Sequence, residues 1–469
     1  MFSIRELTIT YPQQKQAACK NVCLEVRAGE IVLLAGSNGS GKSTLLHSVA
    51  GLIPGIFRAD VTGSCHVDGR MGMALQDSDV FLLATPEEEL DFILQNQGLT
   101  LEIRLQKLER LISLFHLEAL LKRNIHSLSG GERQRLALAA AIASEPEVLL
   151  LDEPLAQLDS SFKTEFLQLL QELAASGTSI LISTTFSNQY ESLNAKYCWL
   201  HEGQLIWQGS KADFYNKWEQ ARNAGIDVDG KGLFLRKRRD EISRQQKDIN
   251  GNNPVLALVN LSYSYGDTFR LQDVSLSIGR GEFAALTGAN GSGKSTLLKL
   301  ITGILKPGRG TVQVKGKDIS GQSIAGATAE SGFLFQNPDH QIFQDKVIKE
   351  VAWGLKMRKL DPELIPARVE KWLKRLQMEH LAEEHPYSLT KTDRQWVALA
   401  GVLARQPSLL LLDEPTHGMD CVSTARFMDV IMELAASGTA ILMVTHHHEL
   451  ADHYSQRIFH LDKGMCCVR

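Results

Sequence analysis

The sequence predicts an α/β fold that is built twice along one chain. A glycine-rich segment, Gly36-Ser-Asn-Gly-Ser-Gly-Lys42-Ser43-Thr44, recurs as Gly288-Ala-Asn-Gly-Ser-Gly-Lys294-Ser295-Thr296. An aliphatic run that ends in Asp-Glu-Pro occurs at 148–154 and again at 409–415. Short apolar runs alternate with helical patterns in both halves, as expected of buried parallel strands joined by helices. Two long copies indicate two homologous domains rather than a solenoid of short repeats.

The segments beside these motifs predict the core elements in order. They are strands at Ile31–Ala35 and Val148–Leu151, and helices at Leu45–Ala50 and Leu297–Ile301. A helical insert follows in each copy. Its first helix begins at Thr85-Pro86-Glu87 in the first copy, where a capping residue, a first-turn proline and an acidic first turn occur together. Asp361-Pro362-Glu363 predicts a similar helix start within the second insert.

Composition excludes several classes of protein. The chain has 469 residues, 43% of them hydrophobic, and a formal net charge of −4, so no overall positive field attracts nucleic acid. No run approaches the roughly 18 apolar residues of a membrane-spanning helix, and the first residues lack a secretory signal. The 7 cysteines are scattered and odd in number, which predicts reduced thiols in a cytosolic protein.

Polar, glycine-containing sequence separates the two copies. We predict a first domain at 1–217, a linker at 218–254 and a second domain at 255–469. The basic run Arg236–Arg239 is interpreted as part of this linker, and contact with lipid headgroups or nucleic acid is the alternative.

The repeated glycine-rich segment is a phosphate loop. Its glycines let consecutive backbone N–H groups point toward one anion, and the N-terminus of the following helix adds a partial positive charge. We expect Lys42 and Lys294 to reach the β- and γ-phosphates, and Ser43 and Ser295 to ligate Mg²⁺. The predicted nucleotide-binding residues of the two loops are Gly36, Ser37, Asn38, Gly39, Ser40, Gly41, Lys42, Ser43, Thr44, Gly288, Ala289, Asn290, Gly291, Ser292, Gly293, Lys294, Ser295 and Thr296.

Paired acidic residues end the second predicted strand of each copy. Asp152 and Asp413 are placed where a carboxylate can reach the Mg²⁺ shell. Glu153 and Glu414, the next residues, can orient or deprotonate an attacking water molecule. An exposed acidic strand end without a catalytic role is the alternative interpretation.

A third motif indicates which class of phosphate-loop protein this is. Ser127-Leu-Ser129-Gly130-Gly131-Glu132-Arg-Gln-Arg135 opens a helix that runs toward Ala143 and resembles the signature motif of ATP-binding-cassette proteins. The resemblance covers nearly the whole chain outside the linker. It implies two ATPase domains, each with a parallel-sheet core, an antiparallel β portion and a helical insert, and ATP and Mg²⁺ as cofactors. In this family each signature serves the ATP of the opposite cassette, so two ATPs would be sandwiched head to tail within one chain.

The same resemblance suggests roles for five further residues. Tyr11 and Tyr265 look like the aromatic residue that stacks on adenine, although packed tyrosines are the alternative. Gln76 and Gln336 resemble the glutamine that touches Mg²⁺ and senses the membrane partner. His446 resembles the histidine that contacts the γ-phosphate. It begins a run of three histidines, but successive residues seldom point at one metal ion.

The two copies differ at two positions of this machinery. The second signature reads Ser388-Leu-Thr390-Lys391-Thr392-Asp393, which lacks both glycines, and Thr185 aligns with His446. Head-to-tail pairing implies an intact site made of Lys294, Asp413, Glu414 and His446 with Ser129, Gly130 and Gly131. The other site would combine Lys42, Asp152, Glu153 and Thr185 with Thr390, Lys391 and Thr392. We therefore predict one hydrolytic site and one site that mainly holds ATP.

The segment Phe335-Gln336-Asn337-Pro338-Asp339-His340-Gln341-Ile342-Phe343 is the most specific cue to a subfamily. It resembles the ATPases of energy-coupling-factor importers, which take up vitamins or transition-metal ions. That resemblance implies hydrophobic transmembrane subunits, a substrate-binding membrane subunit and a place at the cytoplasmic face of the cell membrane. The alternatives are the tandem ATPase of a sugar importer and a ribosome-binding ATPase of the ABC-F type.

Overall fold

The computed structural model describes residues 1–12, 16–75, 81–185, 187–217, 220, 254–265, 269–289, 291–358 and 360–468. Apart from residues 220 and 254, the predicted linker lies outside this described part, and so do Gln76 and Asn290. The chain forms two compact units, one built mainly from each copy. Within the described residues, no helix combines the length and apolar character needed to cross a membrane.

The first copy contains strands that form two sheets. They are β1 (Phe2–Thr10), β2 (Cys19–Val26), β3 (Ile31–Ala35), β4 (Asp60–Val67), β5 (Met71–Ala74), β6 (Val148–Asp152), β7 (Ser179–Thr184), β8 (Lys196–His201) and β9 (Gln204–Gly209). Strands β2, β1 and β4 form an antiparallel sheet, and the larger sheet has the order β5-β6-β7-β3-β8-β9. Every neighbouring pair in the larger sheet is parallel except β8–β9.

Helices pack on these sheets and form the insert. They are α1 (Lys42–Val49), α2 (Leu52–Gly55), α3 (Pro86–Gln95), α4 (Leu101–Leu114), α5 (Gly130–Ala143), α6 (Ser160–Ala175) and α7 (Lys211–Asn216). Two 3-10 turns accompany them at Ile125–Ser127 and Ser187–Tyr190. One face of the large sheet and α3 to α6 share an apolar core. The opposite face packs against α1 and the antiparallel sheet in a second core.

The second copy repeats this architecture. Its strands are β10 (Leu256–Tyr265), β11 (Phe269–Ile278), β12 (Phe283–Thr287), β13 (Arg309–Val314), β14 (Lys317–Asp318), β15 (Ser331–Leu334), β16 (Leu409–Asp413), β17 (Ala440–Val444), β18 (Arg457–Asp462) and β19 (Met465–Val468). The antiparallel sheet has the order β11-β10-β13-β14. The larger sheet, β15-β16-β17-β12-β18-β19, is parallel except for β18–β19.

The helices of the second copy occur in a similar order along the chain. They are α8 (Lys294–Ile301), α9 (Ile324–Ala327), α10 (Val347–Met357), α11 (Ile365–Arg375), α12 (Lys391–Ala404), α13 (Cys421–Ala436) and α14 (His448–Tyr454). Their 3-10 turns lie at Pro338–His340, Pro362–Leu364, Glu379–Leu381 and Pro386–Ser388. The predicted fold class, two α/β units with parallel-sheet cores, antiparallel portions and helical inserts, is confirmed.

Local sequence signals set several helix starts. Thr85 caps α3, where its hydroxyl accepts the N–H of Glu88 and the Glu88 carboxylate accepts the N–H of Thr85. The predicted helix start at Asp361 is wrong in detail. Asp361 caps the 3-10 turn Pro362–Leu364, and α11 begins only at Ile365. Pro366 lies in the first turn of α11, where its fixed φ suits a helix and its missing N–H is not needed.

Candidate nucleotide-binding sites

The first phosphate loop joins the carboxyl end of β3 to α1. Gly41 has φ 101°, and a Cβ atom there would lie 2.2 Å from the carbonyl oxygen of Ala18, so only glycine fits. The ammonium group of Lys42 curls back and donates to the carbonyl oxygens of Gly36 and Ser37, at 2.9 and 3.0 Å. Burial lowers the pKa of Lys42, while the charges of Glu153 and Asp152 raise it.

The second phosphate loop has the same construction between β12 and α8. Lys294 donates to the carbonyl oxygens of Gly288 and Ala289, at 2.8 and 2.9 Å. Gly293 has φ 108° at the same position as Gly41. Burial lowers the pKa of Lys294, and the charge of Glu414 opposes this shift most strongly. Each loop therefore folds around a lysine that ends among backbone carbonyls at the helix start.

Both loops contain a buried hydroxyl that suits an anionic ligand. Ser40 is 2% exposed and Ser292 is 5% exposed, and neither Oγ atom has a hydrogen-bond partner among the described residues. A buried hydroxyl without a partner is costly unless a ligand satisfies it. Together with the helix N-termini and the two lysines, these hydroxyls fit the oxygen atoms of a nucleotide phosphate.

The acidic strand ends meet different hydroxyls in the two units. Asp413 ends β16, and the hydroxyl of Ser295, the second residue of α8, donates to it. Burial raises the pKa of Asp413, and that hydrogen bond opposes the shift. A hydroxyl beside a carboxylate is an oxygen donor set of the kind that Mg²⁺ takes beside nucleotide phosphates. Asp152, in contrast, accepts a short hydrogen bond from Ser183 of β7.

Glu153 lies in a buried environment after β6. Its backbone has φ 49°, and its N–H donates to the carbonyl oxygen of Ser183. Burial raises the pKa of Glu153 to about 7, although the charge of Lys42 lowers it. The backbone and side chain of Thr185 both hydrogen-bond the carboxylate. Thr185, which aligns with His446, therefore contacts Glu153, the predicted catalytic glutamate of the first copy.

Glu414 and His446 form the corresponding contact in the second unit. His446 Nε2 lies 3.1 Å from Glu414 Oε1, and the backbone N–H of His446 donates to Oε2 at 3.3 Å. Burial raises the pKa of Glu414 to about 8. Burial and the nearby Lys294 charge lower the pKa of His446 to about 4. Both shifts favour the uncharged forms of the two groups, because burial penalises charge.

The two signature segments keep the same helix start despite their different residues. Ser129 caps α5, where its Oγ accepts the N–H of Glu132, and Glu132 accepts the N–H of Ser129 at 2.7 Å. Thr390 caps α12 with one of these two bonds, because its Oγ1 accepts the N–H of Asp393 at 3.1 Å. The glycines are therefore not needed to begin the helix, and a Cβ atom at Gly130 would meet only the end of the Gln157 side chain.

Comparison with known proteins agrees with these two sets of motifs. The chain matches the family described as ABC transporter over residues 19–156 and 271–417. It belongs to the ABC transporter family. A relative from Caldanaerobacter subterraneus subsp. tengcongensis, provisionally named an ABC transporter ATP-binding protein, is 32% identical over 97% of this chain and 88% of its own length.

Two further similarities are to a protein that is named for import and to a solved structure. A Bacillus subtilis protein, provisionally named the HMP/thiamine import ATP-binding protein YkoD, is 28% identical over 99% of this chain and 90% of its own length. The structure of cbiO1 from Clostridium perfringens, part of an ABC transporter complex named cbiONQ, is 34% identical in sequence. It aligns with a TM-score of 0.43 over 46% of this chain and 87% of its own. This ABC transporter chain is an ATP-binding ATPase.

The structure describes the surroundings of three further predicted nucleotide-site residues of this ABC ATPase, Tyr11, Tyr265 and Gln336. The hydroxyl of Tyr11 lies 3.3 Å from Thr44 Oγ1, so its ring is next to the start of α1. Tyr265 is 44% exposed, and its ring meets Tyr263 edge-on at 4.8 Å. Gln336 follows β15 and lines a small, solvent-open cleft with Pro338 and Lys391. A role of these residues at adenine or Mg²⁺ stays a prediction.

The structure shows partners that the sequence did not reveal. Ser183 and Asp152 are far apart in sequence but are opposite each other on neighbouring strands. Arg394 of α12 forms a two-point ion pair with Asp339, at 2.6 and 3.1 Å, which ties the segment after Gln336 to the second signature helix. Aspartate and arginine are common in both segments, so only the fold could have paired them.

Proposed function

We propose that this ABC transporter ATPase energises an energy-coupling-factor importer of a vitamin, a vitamin precursor or a transition-metal ion. Its partners would be hydrophobic transmembrane subunits and a substrate-binding membrane subunit. The chain would then work at the cytoplasmic face of the membrane, with both cassettes supplied by one polypeptide and domain limits near 217 and 255.

The observation that carries this proposal is the segment Phe335–Phe343, whose sequence resembles the ATPases of such importers. The similarity to the Bacillus subtilis protein provisionally named for HMP/thiamine import favours the same class and a thiamine-related cargo. Cargo specificity would reside on the membrane subunits, because the motif residues of this chain are of the kinds that bind nucleotide and hydrolyse it.

Copurification tests the importer class. The tagged full chain is isolated from detergent-solubilised membranes of its own cells, and its partners are identified by mass spectrometry, with an untagged strain as control. Small hydrophobic membrane subunits with a membrane-embedded binding subunit support the proposal. A permease with a separate soluble binding protein would instead indicate another importer type. Ribosomes with no membrane subunit would indicate the ABC-F alternative.

We further propose that catalysis is unequal between the copies and that Mg²⁺ is the metal cofactor. Ser295 and Asp413 would hold Mg²⁺ in the second copy, and Ser43 and Asp152 in the first, with Gln336 and Gln76 beside them. Bound Mg²⁺ would neutralise charge on the β- and γ-phosphates. In its ionised form, Glu414 would accept the proton of the attacking water, and neutral His446 would hold that carboxylate in place.

Two differences from the family motifs support the inequality: the altered second signature and the threonine at the histidine position of the first copy. Under head-to-tail pairing, Glu414 faces the intact signature at Ser129, Gly130 and Gly131, whereas Glu153 faces the altered one. Thr185 hydrogen-bonds Glu153 but lacks the imidazole of His446. We propose that the second copy's phosphate loop, through Lys294, serves hydrolysis, and that the first copy's loop mainly holds ATP.

Two matched variants test the inequality through steady-state phosphate release by the assembled transporter. Glu414→Gln is expected to lower turnover by about 10²–10⁴-fold, because it removes a positioned general base. Glu153→Gln is expected to lower turnover much less. ATP binding should persist in both variants, since the lysines remain. Equal losses would show two equivalent sites, and a larger loss from Glu153→Gln would show that the half-sites are paired the other way.

A further inference from the structure

The carboxylate of Asp152 is anchored by a neighbouring strand in the first copy. Asp152 ends β6, and the parallel register places it opposite Ser183 of β7. The hydroxyl of Ser183 donates a hydrogen bond to Oδ1 of Asp152, and both side chains are buried. This hydrogen bond therefore lies inside the unit, away from solvent, and it fixes one oxygen atom of the carboxylate.

At the same register, the second copy has a valine instead of a donor. Asp413 ends β16 and is opposite Val444 of β17, which is also buried. A valine side chain carries no hydrogen-bond donor. The hydroxyl that donates to Asp413 comes from Ser295 of α8 instead. The two aspartates thus occupy equivalent places, but the strand residue opposite them can donate a hydrogen bond only in the first copy.

Both carboxylates act on the lysine of their own phosphate loop. Burial lowers the pKa of Lys42, and the charge of Asp152 is among those that oppose this shift. Burial lowers the pKa of Lys294 in the same way, and the charge of Asp413 is among those that oppose it. The two carboxylates therefore stand in the same relation to their loops, so the difference in their hydrogen-bond donors can be compared directly.

The two donors differ in their relation to the proposed metal ion. Ser295 is itself a proposed Mg²⁺ ligand, so its hydroxyl must arrange itself around the ion as well as donate to Asp413. Ser183 lies on β7 and belongs to no proposed ligand set, so it can hold Asp152 before the ion arrives. An outer hydrogen-bond partner of this kind orients the ligand, and its loss typically weakens metal binding by about 10–100-fold.

We propose that Ser183 is a positioning residue that orients Asp152 for Mg²⁺, so that the first copy binds this ion more tightly than the second. This inference rests on the proposed function, in which the two aspartates help to hold Mg²⁺ and the first copy mainly holds ATP. An oriented carboxylate suits a site that retains its nucleotide, because the ligand need not reorganise when the ion binds. A weaker hold at Asp413 suits a site that must release its products in every cycle.

The test measures how much Mg²⁺ each copy needs in order to bind nucleotide in the full chain. Lys294→Ala weakens the second phosphate loop, so that binding of a fluorescent, non-hydrolysable ATP analogue reports the first copy. Lys42→Ala reports the second copy in the same way. The measured value is the Mg²⁺ concentration at half-maximal binding of the analogue. We expect this value to be about tenfold lower in the Lys294→Ala chain than in the Lys42→Ala chain.

Matched variants of β7 test the role of the hydroxyl. In the Lys294→Ala chain, Ser183→Val removes the donor and should raise the half-maximal Mg²⁺ concentration by about tenfold. Ser183→Thr has nearly the shape of that variant but keeps a hydroxyl, so its value should stay close to that of the parent. Ser179→Ala is the control and should change nothing. It replaces another buried serine of β7 by the residue type that β17 has at the corresponding position.

Two further measurements separate the proposed role from a general loss of packing. Binding of the analogue in EDTA does not involve Mg²⁺, so Ser183→Val should leave that affinity unchanged. Val444→Thr adds a hydroxyl opposite Asp413 and should lower the Mg²⁺ requirement of the second copy several-fold in the Lys42→Ala chain. This variant keeps the proposal testable if Ser183→Val folds poorly.

The outcomes distinguish this proposal from the proposed function. The proposal is wrong if both copies need the same Mg²⁺ concentration, or if Ser183→Val weakens binding equally with Mg²⁺ and in EDTA. An unchanged Mg²⁺ requirement in Ser183→Val or in Val444→Thr would also contradict it. These results would leave the importer function and its Mg²⁺ cofactor standing. If Mg²⁺ has no effect on nucleotide binding by either copy of the parent, the proposed cofactor fails, and this inference fails with it.

Discussion

Burial of Glu414 and His446 makes the stability of the nucleotide-free protein depend on pH. Burial raises the pKa of Glu414 from its ordinary 4.5 to about 8, so the folded protein holds a proton that the unfolded chain releases. This contribution to stability is complete below pH 4.5 and is lost as pH rises through about 8. His446 acts in the opposite sense: its pKa falls from 6.5 to about 4, so its burial costs stability at low pH and costs nothing above 6.5.

The two residues therefore oppose each other between about pH 4.5 and 6.5, and only Glu414 acts between about 6.5 and 8. One pKa unit corresponds to about 1.4 kcal/mol, so this upper window of about 1.5 units removes about 2 kcal/mol of stability. The side chain of Glu414 is 9% exposed, so solvent screens this contribution little.

The assay is urea unfolding of the Mg²⁺-free, nucleotide-free full chain at pH 6.5 and pH 8. The free energy of unfolding of the parent should fall relative to that of Glu414→Gln by about 2 kcal/mol across this interval, because the amide cannot ionise. Glu370→Gln, an exposed change on α11, should follow the parent at both pH values. If the parent and Glu414→Gln change in parallel, Glu414 is already ionised in the folded protein and its assigned protonation state is wrong.

Three further changes test contacts that position the site. Ser183→Val should destabilise the chain by about 1–3 kcal/mol in urea, because the buried Asp152 loses its donor; no loss would mean that another donor satisfies it. A double-mutant cycle of Asp339→Ala and Arg394→Ala should give a coupling free energy of about 1 kcal/mol, and additive losses would contradict a specific pair. Thr390→Ala should cost about 1 kcal/mol of stability through the lost cap of α12, and an unchanged urea midpoint would argue against that cap.

The sequence by itself determined the features that depend on neighbouring residues. The strand Ile31–Ala35 occurs as predicted, because five consecutive aliphatic residues form a strand buried on both faces. The phosphate loops could also be predicted from the sequence, because each consists of consecutive residues between a strand and a helix. The cap at Thr85 needed only the next three residues. Family membership followed from such local motifs, repeated in order.

Only the tertiary structure decided which distant groups meet. Strand order places Ser183 beside Asp152, and no local pattern specifies the neighbour of β6. The sequence shows Glu414 as an acidic residue, but its raised pKa depends on burial by several separate elements. Glu89 stands in a run of three glutamates, and only the folding back of the chain brings the backbone N–H of Leu82 to its carboxylate. Hydrogen bonding and burial are properties of the assembled fold, so these residues acquire their contacts and their shifted pKa values only there.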